Sequence, residues 1–311
     1  MEPVSPLIPP ARTRAPKLRP AGLPPRYEPV RVIGTGAHGT VWLARDPRLG
    51  RLVAVKTMCT ECADLLERLR REARLLARLE HPSIVRVHEL DHHEGRLFLA
   101  MEYLPGGNLA LPCFEPRTLV RVVRGVVDAL GHAHDQGVVH RDVKPENVLL
   151  SGRGEGARAV LADFGLALGP DEGTPLLRRP IVGTPLTMSP EQVEGRALSP
   201  ASDVFSLGAT LYRKLTGQWP FRGRTVDEVF AAIRSRPVEP LRVHAASVPR
   251  RLDALVQRML AKEPRARFGS MAELGAALDR FLRARSLFSF LPGRRSRPSL
   301  LPNRIHPERP T

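Results

Sequence analysis

The chain has 311 residues, 42% of them apolar and 26% charged, with a formal net charge of +16. That apolar share is enough to bury a core, which excludes disorder throughout, and the lack of any run of 18 apolar residues excludes a membrane-spanning helix. A proline-broken start without a continuous apolar leader, and three cysteines (Cys59, Cys62, Cys113) that cannot build a disulfide framework, favour the cytoplasm.

Residues 1–26 and 286–311 each carry five Arg or Lys against a single Glu, and together they hold 13 of the 31 prolines. Proline disfavours helix and interior strand alike, so both segments are expected to be flexible basic tails. They can make weak contacts with anionic lipid or nucleic acid, but without interleaved aromatics or a recognisable module no specific nucleic-acid binding is expected.

Between the tails, residues 27–104 read as short strands at Val30–Ile33, Thr40–Ala44, Leu52–Thr57, Ile84–Leu90 and Arg96–Tyr103. One helix interrupts them. From Asp64 to Leu79, the positions Leu65, Leu69, Glu72, Leu76 and Leu79 fall on one helical face, so a glutamate sits inside an apolar stripe. A buried carboxylate is costly unless paired, and Glu72 therefore calls for a cation from elsewhere. Residues 105–285 read as mainly helical: Arg117–Gln136 with Gly137 as its stop, and later helices opening at Thr225 with Glu228 and at Ser270 with Glu273. Strand-like pieces lie at Asn147–Leu150 and Ala159–Ala162. The expected architecture is α+β and two-lobed, with a β-rich N-lobe (27–104), a turn near Pro105–Gly107 and a helical C-lobe (105–285).

The glycine-rich run Gly34, Thr35, Gly36, Ala37, His38, Gly39 is a weak signal alone, because the same pattern opens dinucleotide-binding folds. The next residues, Thr40-Val-Trp-Leu-Ala44, are strand-like rather than helical, so a hairpin over phosphates fits better. In Val53-Ala54-Val55-Lys56 the alternation places Ala54 and Lys56 on one face, where a flat base could lie against the small Ala54. Lys56 and the misplaced Glu72 can satisfy each other's charge. The segment His140-Arg141-Asp142-Val-Lys144-Pro-Glu146-Asn147 is succeeded, 21 residues after Asp142, by Asp163-Phe164-Gly165. Phosphoryl transfer asks for a carboxylate to orient a hydroxyl, a cation, and oxygen ligands for metal, and Asp142, Lys144, Asn147 and Asp163 supply these types.

These motifs, in this order, resemble those of eukaryotic-type protein Ser/Thr kinases, and most those of the bacterial branch, over about residues 27–285. The resemblance implies the two-lobed kinase fold and a signalling enzyme that transfers the γ-phosphoryl group of ATP to Ser or Thr hydroxyls of protein substrates. It implies Mg²⁺, with Mn²⁺ an alternative. By position, Gly34 through Gly39 would cover the ATP phosphates, Val41 and Ala54 would meet the adenine, and Met101, Glu102 and Tyr103 would line its edge. Asn108 would stand near the ribose, where many relatives carry an acid. Lys56 would hold the α- and β-phosphates and pair with Glu72, Asp142 would be the base with Lys144 beside it, and Asn147 and Asp163 would bind metal.

Gly183-Thr184-Pro185 and Ser189-Pro190-Glu191 resemble the segment that receives a substrate peptide, with Ser189 where alanine is usual. Thr184 would contact Asp142 and Lys144, the pattern of Ser/Thr specificity. Asp203 and Arg267, the latter paired with Glu191, would anchor the C-lobe. Thr174, the only hydroxyl between Gly165 and Gly183, is the possible phosphosite, too far from Thr184 to be expected as the main switch. A small-molecule kinase is disfavoured by the peptide-receiving segment, and a catalytically dead scaffold by the presence of Lys56, Glu72, Asp142, Asn147 and Asp163. The Cys59/Cys62 pair lacks the second pair a metal site would need.

Overall fold

The computed structural model describes residues 21–36, 39–59, 79–111, 113–152, 156–164 and 185–284. All of the expected helix at 64–79 but its last residue, Leu79, and with it Glu72, lies outside the described residues, as do the loop tip Ala37 and His38, Thr174, Thr184 and Cys62.

Five strands, β1 (Glu28–Gly36), β2 (Gly39–Asp46), β3 (Arg51–Cys59), β4 (Val87–His93) and β5 (Arg96–Glu102), form one antiparallel sheet in the order β1-β2-β3-β5-β4. Its register sets Val41 opposite Lys56 and Ala54 opposite Met101. Strand periodicity divides the sheet's two faces. Ala54, Met58, Leu97, Leu99 and Met101 join the main core, whereas Val53, Val55, Phe98 and Ala100 form a second cluster on the other face. Lys56 shares the face of Ala54 and Met58, as the alternation requires. The β4–β5 hairpin turns at Glu94 and Gly95, whose φ values of 48° and 70° suit a two-residue turn of matching twist. The expected strand at Ile84–Leu90 is split: Ile84 bridges in parallel to Leu161, and β4 itself begins at Val87.

Residues ahead of β1 cover the second cluster. Leu23 is 1% exposed, and Tyr27 beside it donates its hydroxyl to Glu89 Oε2 at 2.8 Å. Arg26 lies over the Tyr27 ring at 4.7 Å. The boundary expected at 26/27 thus falls inside a packed segment, because two apolar side chains around Pro24 and Pro25 close a sheet face that would otherwise be open.

The C-lobe is built on α1 (Pro116–Asp135), whose apolar face, Leu119 through Ala133, is buried. Gly137 at φ 75° ends it, with Val138 N–H bonded to Ala133 O at 2.9 Å. A 3₁₀ turn (Pro145–Asn147) leads into the β6 (Val148–Leu150) and β7 (Ala159–Leu161) pair. Then come α2 (Pro190–Val193), α3 (Pro200–Thr216), α4 (Val226–Ser235), α5 (Leu241–His244), α6 (Arg250–Met259) and α7 (Met271–Arg283). Thr225 and Ser270 cap α4 and α7 by accepting from the N–H of Glu228 and Glu273 at 3.2 and 3.1 Å. The two glutamates reach back to Arg224 and Gly269 N–H, one residue earlier than a reciprocal capping box would place them. Arg117 of α1 donates to the carbonyls of Phe281, Leu282 and Ala284, which ties down the end of α7.

Helix α3 is buried from Ser202 through Tyr212. Gly208 in its middle is required by packing, since a Cβ there would lie 2.8 Å from the Met259 Cβ of α6. The helix is tied to α2 by a buried ion pair: Arg267 donates to Glu191 Oε1 at 2.7 Å and Oε2 at 2.9 Å, and Ser202 Oγ donates to Oε1 at 2.7 Å. The remaining guanidinium N–H groups reach the carbonyls of Ala261, Ala201 and Lys262, each at 2.8 Å, so all five donors are used. Burial pushes the Glu191 carboxyl upward, but the Arg267 bonds and charge outweigh it and hold the group below the usual carboxylate range.

This packing makes two stability outcomes measurable. Arg267→Met strands the Glu191 charge and is expected to cost about 3–5 kcal/mol, measured by denaturant unfolding. Leu23→Ala is expected to cost about 2–4 kcal/mol by opening the second cluster; a loss under about 0.5 kcal/mol would show that residues 21–27 are dispensable cover.

Candidate active site

The loop between α1 and the 3₁₀ turn carries the residues expected to do chemistry. Arg141 has φ 70°, a left-handed conformation that costs an arginine on the order of 1–3 kcal/mol. Surrounding bonds over-determine it. The fully buried carboxylate of Asp203 on α3 accepts the N–H of His140 at Oδ2 and of Arg141 at Oδ1, both at 2.8 Å. His134 Nε2 on α1 meets the same Oδ2 at 2.8 Å.

Immediately after the strained residue, Asp142 Oδ2 accepts from Lys144 Nζ at 2.7 Å and from Asn147 Nδ2 at 2.9 Å. Asn147 Nδ2 also reaches Asp142 O at 2.8 Å. Both partners of Nδ2 are acceptors, so the amide nitrogen faces Asp142 and the Asn147 oxygen is left to face elsewhere.

His140 joins this loop to Asp163. It is fully buried, and its Nδ1 accepts the Asp142 N–H at 3.2 Å, so Nε2 carries the proton and donates to Ala162 O at 3.1 Å. Ala162 N–H in turn donates to Asn147 O at 2.9 Å. The residue ahead of Asp163 is therefore gripped on both sides by the His140–Asn147 loop, and the Phe164 ring after it packs tilted against His140 at 4.5 Å between centroids. Asp163 itself adopts φ 56°, a region aspartate tolerates better than most side chains.

From the other lobe, Lys56 crosses to this point. Its side chain is buried, and Nζ donates to Asp163 Oδ1 at 2.9 Å. The expected partner Glu72 lies outside the described residues, and among those described the counter-charge of Lys56 is Asp163. Behind them Met101 lines a small apolar cavity with Leu99, Val87 and Phe164, to which Asp163 also contributes.

The other expected residues surround this centre. Gly39 has φ 119°, and a Cβ there would lie 2.0 Å from Thr57 O, so the sheet itself demands this glycine. A Cβ on Gly36 would meet open space, whereas one on Gly34 would touch the Val41 side chain at 3.7 Å; Gly34, Thr35 and Gly36 pair with Val41, Thr40 and Gly39 of β2. Val41 is half-buried and Ala54 buried. The Glu102 N–H is committed to Arg86 O at 2.9 Å and cannot serve a base, which leaves the carbonyl and the residues from Tyr103 onward for that edge. Asn108 folds its Oδ1 onto Ala110 N–H at 3.1 Å, a local turn that keeps its NH₂ as the available group. Cys113 is an exposed free thiol.

Two participants escaped sequence reasoning: His134, which steadies Asp203, and Gln192, whose Nε2 donates to Arg141 O at 2.8 Å. His134 sits on the buried side of α1 and Gln192 in a four-residue helix. Neither position has a local pattern that signals its long-range partner.

The donors fit a magnesium nucleotide. Among the described residues no three His, Cys, Asp or Glu side chains gather to cage a metal; Asn147 and Asp163 are side chains whose oxygens could hold one. Mg²⁺ is held in this way, by one or two protein oxygens with phosphates and water completing the shell. No helix among the described residues is long and apolar enough to cross a membrane.

Burial lowers the pKa of His140 below the ordinary histidine value of 6.5, against the pull of Asp203, Asp142 and Asp163. The unfolded state then takes up protons first, so the stability contribution is full above pH 6.5 and is lost as pH falls below it. Unfolding free energy is expected to drop below pH 6.5 by up to about 1.4 kcal/mol per pH unit more in the wild type than in His140→Phe. Parallel pH curves for the two would refute the neutral-histidine assignment.

The sequence pattern described as the protein kinase domain matches residues 27–277. The serine/threonine-protein kinase PknJ of Mycobacterium tuberculosis is 36% identical over 262 residues, covering 81% of this chain and 44% of its own. The serine/threonine-protein kinase PknB of Mycolicibacterium smegmatis is 38% identical over 276 residues, covering 84% and 44%. This chain therefore spans under half the length of these curated relatives. Among solved structures, the Mycobacterium tuberculosis PknI kinase domain aligns with a TM-score of 0.64 at 28% identity, covering 85% of this chain and 99% of that one. A double mutant of the same domain gives 0.67 at 26% identity. With a sheet lobe and a helical lobe meeting at Lys56 and Asp163, and the family pattern running through both, the chain belongs to the protein kinase family.

Proposed function

We propose that this chain is a serine/threonine protein kinase that transfers the γ-phosphoryl group of ATP to hydroxyls of protein substrates, acting in cytoplasmic signalling. The observation that carries the reading is the meeting of Lys56 with Asp163, from opposite lobes and 107 residues apart, beside the Asp142, Lys144 and Asn147 cluster. A structural ion pair alone would not need the loop ahead of Asp163, through His140 and Asn147, to grip Ala162 while holding a second carboxylate, Asp142, against Lys144.

ATP would supply the phosphoryl group, and Mg²⁺, or Mn²⁺ in its place, would be held by Asn147 and Asp163 and would offset the phosphate charge, with Lys56 as the protein's cation for the phosphates. Gly34, Thr35, Gly36 and Gly39, with Ala37 and His38, form the lid, and Val41, Ala54, Met101, Glu102, Tyr103 and Asn108 surround the base and ribose. Asp142 orients the substrate hydroxyl and takes its proton as oxygen bonds to phosphorus and the bond to ADP breaks. Lys144, bonded to the same carboxylate, places positive charge beside the group in transfer. Glu72 as second partner of Lys56, and Thr184 as the contact selecting Ser and Thr, complete the reading. Arg141 Nε, buried with no partner among the described residues, suits an anion arriving from the 165–184 stretch. Thr174 is proposed not to be the obligatory source of that anion.

The test is phosphate transfer from labelled ATP to a generic basic protein, with analysis of the modified residues. Asp142→Asn and Asp163→Asn are each expected to lose more than 99% of the rate, roughly 2.7 kcal/mol or more in the barrier, with melting temperature retained. Transfer confined to small molecules, label on tyrosine alone, or an Asp142→Asn enzyme above about a tenth of wild-type rate would each overturn part of the assignment.

A further inference from the structure

The peptide unit between Arg141 and Asp142 is planar, so its orientation fixes the N–Cα axis from which the Asp142 side chain leaves the backbone. Two side chains hold this unit. Its N–H, on Asp142, donates to His140 Nδ1 at 3.2 Å, and its carbonyl, on Arg141, accepts from Gln192 Nε2 at 2.8 Å. Arg141 is thus pinned at both ends in its left-handed conformation, by Asp203 at the N–H and by Gln192 at the carbonyl.

Gln192 stands on α2, directly after the segment expected to receive the substrate, and is 6% exposed. Its Oε1 accepts from Ser189 N–H at 3.0 Å and from Ser189 Oγ at 3.2 Å, while Ser189 Oγ accepts the Gln192 N–H at 3.4 Å. That is a capping box, and it uses only the amide oxygen. A glutamate would fill it equally well and would be favoured by the helix dipole at this end. The nitrogen is what glutamate lacks, and its one bond goes to Arg141 O. Neighbouring Glu191 is locked by Arg267, so α2 is a fixed platform rather than a free turn.

We propose that Gln192 is a positioning residue: its bond to the Arg141 carbonyl aims the Asp142 carboxylate and makes that aim depend on the seating of α2. The inference rests on Asp142 as the base. Gln192 belongs to neither the nucleotide contacts nor the reacting atoms, so its loss should lower kcat and spare the KM for ATP.

The full chain carrying Gln192→Glu keeps the capping oxygen and the side-chain size but turns a carboxylate oxygen toward a carbonyl. Expected are a fall in kcat of tenfold or more, a KM for ATP within twofold of wild type, and little change in melting temperature. Gln192→Met, which carries no charge, loses the capping oxygen as well and is expected to lower the melting temperature, but its folded enzyme should still show the fall in kcat with the KM for ATP spared, and it decides the matter if the glutamate variant does not fold. A kcat within threefold of wild type, or a loss shared equally by kcat, ATP KM and stability, or failure of both variants to fold, overturns the proposal in favour of a purely structural role. Asp142→Asn run in parallel separates the two readings: retained activity there sinks the base assignment, whereas its loss together with an unaffected Gln192→Glu sinks the positioning role alone.

Discussion

Asp203 is fully buried in the helical lobe, and the geometry of the His140–Asn147 loop hangs on how its carboxylate is satisfied. An ionised carboxylate without partners would be prohibitively costly there, so its donors are held as firmly as it holds them. They are two successive backbone N–H groups, of His140 and Arg141, and the His134 ring. Two such N–H groups can converge on one carboxylate only if the chain turns sharply, and the turn requires the left-handed Arg141. Asp142 then leaves the loop at a fixed angle. Strain beside a reacting group persists because the loop cannot relax without orphaning a buried charge.

That carboxylate is only as fixed as helix α3, which explains why Arg267 is bonded so completely. All five of its donors are used, two of them on Glu191, and Ser202 of α3 bonds the same glutamate one residue before Asp203. The chain of supports therefore runs from Arg267 through Glu191 and Ser202 to Asp203 and the catalytic loop. Glu191 is also the neighbour of Gln192, so one ion pair seats both side chains that pin Arg141. The second support, from Asn147 and His140 to Ala162, places Asp163 relative to Asp142 without any covalent proximity between them.

The meeting of Asp142, Lys144 and Asn147 could be read from the sequence because their spacing is set by a short loop: they lie within six positions and need only a local turn to come together. The alternation of Val53 to Lys56 was legible for the same reason, since strand period alone decides which face a residue takes. Helix α3 was not, because burial from Ser202 through Tyr212 erases the polar and apolar contrast on which a 3.6-residue period depends. Leu23 was hidden in proline-rich basic composition, although a sheet with apolar residues on both faces implies a cover from somewhere. The Lys56 pairing shows a different limit. Pattern can say that a lysine and a glutamate each lack a partner, but a second carboxylate arriving from Asp163 has no signature at either position.

Depth separates the two carboxylates that matter most. Asp203 is satisfied largely by backbone dipoles, which stabilise it without bringing an ammonium or guanidinium group to the underside of the catalytic loop. Asp142 by contrast has the Lys144 ammonium as its direct partner, together with one amide, and both it and Lys144 remain about a third exposed. A hydrogen-bonded carboxylate at the solvent edge can exchange partners with an incoming hydroxyl at small cost, whereas one in the dry interior cannot. Exchange at Asp142 and permanence at Asp203 are thus two outcomes of the same chemistry. The neutral His140 between them transmits position without adding charge, since it accepts from Asp142 N–H on one nitrogen and donates to Ala162 on the other. Protonating it would set two N–H groups against each other at Nδ1, so the loop that carries Asp142 is built to hold its shape only while that ring stays neutral.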